Sequence, residues 1–306
     1  MGQHELAHVV LDHIRRCNSV TIKFSTPCVG VETLEGRVRV MIQNDKEDCV
    51  IEADWAVGAD GCNSAVRQMS LIPFEGFSWS NYRFTAADVR YDFEKEGGYR
   101  EANFIVDPIN WAVIARTGLS DVWRVAYGEK FDTPVDDRSV RERAKTRISR
   151  FLPGAKDFEL VRVKPYVAHQ RCAAEFMKGR VVLIGDAAHA NNPVGGLGLT
   201  GGILDAVVIG NALLRCIKGG EDEAVVRAAA ESRRNTWLNI TSPMSQSNYL
   251  RLCSEDPAIC SGREEFFEKL RTDKEFYLAV QNSLGDLLPD NFESMAVEDK
   301  RRSQYS

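Results

Sequence analysis

The sequence predicts a mixed α/β protein, and three parts of the 306-residue chain carry that expectation. Val181 to Ile184 is an unbroken apolar run, the pattern of a short parallel strand buried on both faces. It stops at Gly185-Asp186, and six of the 23 glycines lie between Gly185 and Gly202. Apolar positions then return at helical spacing (Ile203, Ala206, Val207, Gly210, Leu213, Leu214), so a helix is expected from near Thr200. Strand, glycine-rich loop and helix make a ligand crevice at the carboxyl end of the strand, where helix-start amides favour negative charge. The second part, residues 80–168, alternates and is rich in aromatics, which predicts an antiparallel sheet. The third, after Leu214, is polar and mostly helical.

Taken in order, residues 3–17 read as an amphipathic helix with Leu6, Val9, Val10, Ile14 and Cys17 on one face. It contains His4-Glu5-Leu6-Ala7-His8, the H-E-x-x-H arrangement that sets two imidazoles one turn apart beside a glutamate base. His13 falls one place short of the third ligand position of the longer pattern, and nothing nearby supplies a clear third ligand. Strand-like runs follow at Val20–Phe24, Val29–Leu34, Val38–Ile42 and Cys49–Val57, with turns at Glu35-Gly36 and Asn44-Asp45-Lys46. The last run delivers Asp60 in the same strand-then-acid pattern that delivers Asp186. Both acids could simply cap helices, and Asn63 and Ser64 are candidate caps for the short helix carrying Val66 and Arg67.

Between residues 80 and 168 the expected strands are Tyr82–Val89, Asn103–Val106, Trp111–Arg116, Val122–Tyr127 and Glu159–Tyr166. Turns are expected at Asp107–Asn110 and Thr117–Asp121. A helix over Arg138–Phe151 should turn Val140, Ala144 and Ile148 inward and stop at Pro153-Gly154. Trp111, Trp123, Tyr82, Tyr166 and Phe84 either line an aromatic pocket or pack in the core. Helical segments are expected over Asp222–Trp237 and Gly262–Leu288, and a frayed tail over Ser294–Ser306.

Composition narrows the function. Hydrophobic residues at 44% and charged residues at 27% are ordinary for a globular chain. A net charge of −5 without a basic block argues against nucleic acid as a partner. Eight cysteines without a C-x-x-C pair suggest thiols in a reducing compartment, and no apolar run is expected to span a membrane. The expected location is cytoplasmic.

Two stretches then identify a family. Gly185 to Gly202, GDAAHANNPVGGLGLTGG, resembles the second flavin signature of the single-component FAD-dependent aromatic hydroxylases, the p-hydroxybenzoate hydroxylase-like monooxygenases. Gly58 to Arg67, GADGCNSAVR, resembles that family's Asp-Gly motif, linked there to FAD and NAD(P)H binding. The resemblance implies that Asp186 holds the ribityl chain of FAD and that the loop from Pro193 to Gly198 passes beside the isoalloxazine ring. Amides around Leu199 and Thr200 would face the flavin edge that becomes anionic on reduction, a charge a helix start stabilises by about 0.3–2 kcal/mol. It also implies cofactor contacts from Gln3, Asp60, Gly61, Arg67, Gly185, Gly195, Gly196 and Gly198.

The implied activity is an FAD-dependent monooxygenase that inserts one oxygen atom of O2 into a small aromatic or polycyclic substrate, with NAD(P)H as co-substrate. No protein nucleophile or metal is needed; for a phenolic substrate His169, Tyr82 and Tyr166 are candidate bases. The implied architecture is a partial FAD-binding Rossmann-like domain (1–80 and 169–217) with an inserted antiparallel-sheet substrate domain (81–168). C-terminal helices (218–306) would serve as a lid or a homodimer surface. No Gly-x-Gly-x-x-Gly turn precedes Gly58, and the match at Gly196–Gly201 sits well past its strand, so the N-terminal βαβ unit is expected to be missing. Two alternatives follow: a catalytically incomplete fragment or paralogue, and, more remotely, a zinc metalloprotease using His4, Glu5 and His8.

Overall fold

The computed structural model describes residues 2–43, 48–80, 82–118, 121–152 and 157–288. The expected turn at residues 44–46, the Pro153-Gly154 helix stop, part of the 117–121 turn and the 294–306 tail lie outside the described residues. The chain opens with α1 (Gln3–Ile14), β1 (Cys28–Leu34), β2 (Arg37–Gln43), β3 (Asp48–Ala53), β4 (Ala56–Gly58), α2 (Ala65–Met69) and β5 (Phe74–Ser78). Next come β6 (Tyr82–Arg90), α3 (Phe93–Gly97), β7 (Ala102–Ile105), β8 (Ala112–Arg116), β9 (Val122–Lys130), α4 (Asp137–Ile148) and β10 (Glu159–Tyr166). The short strands β11 (His169–Ala173), β12 (Met177–Lys178), β13 (Val181–Leu183) and β14 (His189–Ala190) follow. The chain then turns helical: α5 (Leu197–Gly219), α6 (Ala224–Thr236), α7 (Ser242–Cys253), α8 (Pro257–Thr272) and α9 (Lys274–Asn282). Two compact units result, one of Met1–Phe24, Ser78–Ala168 and Tyr249–Cys260, the other of Ser25–Phe77, His169–Asn248 and Ser261–Ser306.

The first unit is built on an antiparallel sheet of order β10-β6-β9-β8-β7. All five of its strands fall where alternation placed them. Ala87, Val89, Ile114, Trp123, Val125 and Tyr127 form its buried side together with α4. That helix is polar except at Val140, Ala144 and Ile148, one residue per turn, and these three are buried. Burying side chains of this kind contributes about 1.5–3 kcal/mol for each Val or Ile. Asp136 caps the helix by accepting the Ser139 amide at 2.9 Å. By contrast, α1 ends at Ile14 and buries no residue; Val9 and Val10 are exposed. Val20–Phe24 is not a strand, because β-branched residues alone do not make one and Val20, Ile22 and Phe24 are all exposed.

In the second unit β1-β2-β3 is an antiparallel meander, β14-β11-β5 a second small sheet and β12-β13-β4 a third. The run Cys49–Val57, expected as one strand, is split between the first and third sheets. Within the third, β13 and β4 are parallel, with Val181 opposite Ala56, Val182 opposite Val57 and Leu183 opposite Gly58. Val181, Val182 and Leu183 are fully buried, as their unbroken apolar run requires.

Helix α5 begins at Leu197, three residues before the expected start. Its buried face is Leu197, Gly201, Asp205, Val208, Ile209 and Ala212, whereas Ile203, Val207 and Leu214, part of the pattern that signalled the helix, are exposed. The helix is apolar on most sides, so periodicity gave its existence but could not choose its inner face. It is also long and apolar enough to cross a membrane, which corrects the expectation that no run reaches that length. A buried ion pair at Asp205 marks it instead as a core helix.

Candidate functional site

The site is built where β4 and β13 end side by side. Gly58 allows the two strands to close, since a Cβ there would come within 2.8 Å of Leu183 and 2.9 Å of Val66. The chain then turns through Gly61 (φ +83°) after β4 and Gly185 (φ +57°) after β13, left-handed conformations that suit glycine. The two acids, which the sequence presents alike, differ here. Asp60 accepts from the Ser64 hydroxyl and, at 3.1 Å, from the Val66 amide, so it anchors the start of α2. Ser64 is the cap itself, accepting from the Arg67 amide at 2.9 Å, and Asn63 is not. Asp186 is exposed, and its carboxylate has no hydrogen bond or ion pair among the described residues.

Arg67 ties the two loops together. It is buried, donates to the carbonyls of Cys62 and Ala187 at 2.8 Å each, and lies 3.8 Å over the Phe74 ring. Burial first, then the Asp186 charge, push the Cys62 thiol up, which puts the two loops in electrostatic contact.

Beyond β14 the loop is held by an asparagine that the sequence reading passed over. Asn192 is fully buried; its Oδ1 accepts from Val194 at 3.1 Å and its Nδ2 donates to the Ser245 carbonyl at 3.0 Å. Its amide reaches Gln170, whose Nε2 in turn donates to Ser242 Oγ at 2.9 Å. Two adjacent asparagines between apolar residues were the available signal. The loop tip, Pro193, Gly195 and Gly196, is exposed, and Gly195 (φ +97°) and Gly196 (φ +70°) again take left-handed backbone. Gly196 starts α5 without any side-chain cap, so the amides of Leu197, Gly198, Leu199 and Thr200 stay uncapped by side chains. Under the loop lies a charged cluster, also unforeseen: Asp205 meets His189, Arg233 and the Gly185 amide. A single acid inside an apolar helix was its sequence signal.

Gln3 is exposed on α1, in the first unit. Tyr82 and Tyr166 also belong to the first unit, and His169 to the second. Burial pushes the Tyr166 phenol up to about 12, with Arg124 opposing. Burial, then Arg171, holds the His169 imidazole below its ordinary 6.5. Trp111, Trp123 and Phe84 are core residues; the Phe84 and Trp111 rings pack 5.2 Å apart, and Tyr249 lies 5.3 Å from Trp111. His4 and His8 are exposed on α1, where the Glu5 carboxylate accepts the Gly2 amide at 2.5 Å. Among the described residues no group of three or more His, Cys, Asp or Glu side chains could hold a metal ion.

These features suit a flavin. An exposed, unpartnered carboxylate can accept hydroxyls, uncapped amides can face an anionic ring edge, and glycines leave room for the backbone to approach. Comparison with known proteins agrees. A profile of FAD binding domains matches residues 1–242. The chain is 38% identical over 277 residues to para-nitrophenol 4-monooxygenase of Pseudomonas sp. (strain WBC-3), covering 90% of this chain and 68% of that protein. It is 33% identical over 273 residues to a 6-hydroxy-3-succinoylpyridine 3-monooxygenase of Pseudomonas putida, covering 89% of this chain and 68% of that one. The crystal structure of p-nitrophenol 4-monooxygenase from Pseudomonas putida DLL-E4 superposes with a TM-score of 0.89 at 34% identity, over 95% of this chain and 73% of that one. With its paired strand ends, glycine loops and uncapped helix start, the chain belongs to the FAD-binding domain family, among the FAD-dependent aromatic hydroxylases.

Proposed function

We propose that the chain attaches one oxygen atom of O2 to a phenol-like ring at the substituted carbon para to its hydroxyl. The substituent leaves (nitrite from a nitrophenol), the phenolic proton is lost as the ring becomes a quinone, and the second oxygen atom, reduced with the two electrons of NAD(P)H, goes to water. Support comes from the two relatives' names, since in para-nitrophenol carbon 4, and in 6-hydroxy-3-succinoylpyridine carbon 3, is the substituted position para to the hydroxyl. Bound FAD, reduced by NAD(P)H, supplies the activation of O2. The chain's own residues bind and orient. Asp186 accepts from the ribityl hydroxyls, and amides from Leu197 to Thr200 favour the electron-rich ring edge. Pro193, Gly195, Gly196 and Gly198 leave space beside the ring, while Gly61, Gly185, Asp60 and Arg67 brace the loops that carry these contacts. As the base that takes the substrate's phenolic proton, His169 is favoured over Tyr82 and Tyr166: a lowered pKa leaves its imidazole neutral at pH 7, while Tyr166 keeps its own proton.

The observation that carries this reading is the exposed, unpartnered Asp186 at the end of a buried parallel strand. The test is incubation of the purified chain with FAD, NADH or NADPH, and para-substituted phenols under labelled O2. The expected product carries one labelled oxygen on the carbon para to the hydroxyl. Labelled oxygen at another ring position overturns the para assignment. FAD retained without any substrate-dependent consumption of NAD(P)H favours an incomplete relative of such an enzyme.

A further inference from the structure

We propose that Asp205 is a positioning residue for the flavin, holding the Gly185 turn so that Asp186 is presented to the cofactor. This rests on Asp186 as the ribityl contact. Asp205 is 1% exposed on the inner face of α5, and three donors converge on it. Its Oδ2 accepts from the Gly185 amide at 3.0 Å and from His189 Nε2 at 2.7 Å; its Oδ1 accepts from Arg233 Nε at 2.8 Å. A charge this deep is costly unless paired, and a well-packed apolar cluster would serve stability as well or better. What the carboxylate does that an apolar side chain could not is fix the direction of the Gly185 amide.

That direction matters because Gly185 is left-handed, and the next residue is the exposed Asp186. The turn is tight from the other side too. A Cβ on Gly202 would lie 3.3 Å from the Gly185 Cα, and one on Gly201 would lie 3.3 Å from His189. His189 is locked in turn. Its ring lies between Phe176 at 5.8 Å and Trp237 at 6.0 Å, and its Nδ1 has no hydrogen-bond partner among the described residues. The proton therefore sits on Nε2, facing Asp205. Arg233 closes the cluster by donating Nη1 to the Leu287 carbonyl at 2.7 Å. An asparagine at 205 does not substitute, since in either orientation its NH2 confronts an obligatory donor, Arg233 on one side or the Gly185 amide on the other.

The test compares wild type, Asp205→Ala, Asp205→Asn and Val226→Ala, the last a buried apolar position on α6, seven residues before Arg233, whose truncation lowers stability without removing a partner of Asp205. FAD affinity is read by fluorescence titration of the apoprotein, stability by Tm, and the Gly185 amide by its resonance in 15N-glycine-labelled protein. Asp205→Ala is expected to weaken FAD binding about tenfold to a hundredfold, with Asp205→Asn also weakened, and both to shift the Gly185 resonance. Val226→Ala is expected to lower Tm while keeping FAD affinity within about twofold. Either folded Asp205 variant binding FAD like wild type overturns the proposal. So does Val226→Ala weakening binding as much as Asp205→Ala. If Asp205→Ala does not fold, the volume-conserving Asp205→Asn decides. Wild type that binds no FAD removes the flavin reading and this proposal together, an outcome distinct from failure of the variants alone.

Discussion

Asp60 and Asp186 look interchangeable in the sequence, each closing a strand before small residues. Their surroundings divide the work. Asp60 is occupied by the start of α2, whereas Asp186 faces outward with nothing to bind among the described residues. Asp186→Ala is therefore expected to weaken FAD retention by about tenfold or more, the usual range for a hydrogen bond to a charged group. His189→Ala, which leaves the Asp205–Gly185 bond in place, should weaken it less. Equal retention of FAD by the two variants on gel filtration refutes the ribityl assignment. His169 carries a pH prediction. Its folded pKa lies below 6.5, so the unfolded chain binds more protons on acidification. Its contribution to stability is thus full above about pH 6.5 and is lost as the pH falls through the lowered folded value. As a base, His169 should give kcat/KM an acid limb centred below pH 6.5. His169→Asn should abolish that limb and lower the rate about a hundredfold or more. An unchanged profile in the variant removes His169 from the chemistry.

At the scale of elements, legibility followed amphipathicity. Helix α4 has one apolar stripe in a polar helix, so its buried residues could be named from spacing alone. In α5 most sides are apolar, and the face that turned inward is the one bearing glycines and an acid, because those allow the close approach that the Gly185 turn and His189 require. The strand expected at Val20–Phe24 had β-branched residues but no partner strand, and local preference does not replace pairing. Arg67 shows how one side chain joins elements distant in sequence, bridging the loops after β4 and β13 through Cys62 and Ala187. Arg67→Met keeps the volume and strips both carbonyls of their donor. It should lower stability by about 1–3 kcal/mol, read by denaturant unfolding, with FAD binding weakened as the loops loosen. A variant as stable as wild type would mean that the carbonyls find other partners.

For the molecule as a whole, membership in the FAD-dependent hydroxylases puts the redox chemistry on the flavin and leaves the H-E-x-x-H match without a role. EDTA treatment, and replacement of His4 and His8 by Ala, should leave FAD retention and NAD(P)H oxidation unchanged. Loss of activity restored by zinc would reopen the metal reading. Local patterns alone specify the family, the antiparallel sheet and its covering helix, and the two strand ends with their glycine turns. Those patterns are alternation, one-face helices, and glycines where the backbone must turn. Only tertiary structure decided which acid is exposed, which face of α5 is buried, and that Asn192, Asp205 and Arg233 stand behind the site. Those outcomes depend on which distant groups meet a side chain: a buried polar group keeps its place only where partners from elsewhere in the chain satisfy it, and spacing along the chain does not encode those partners.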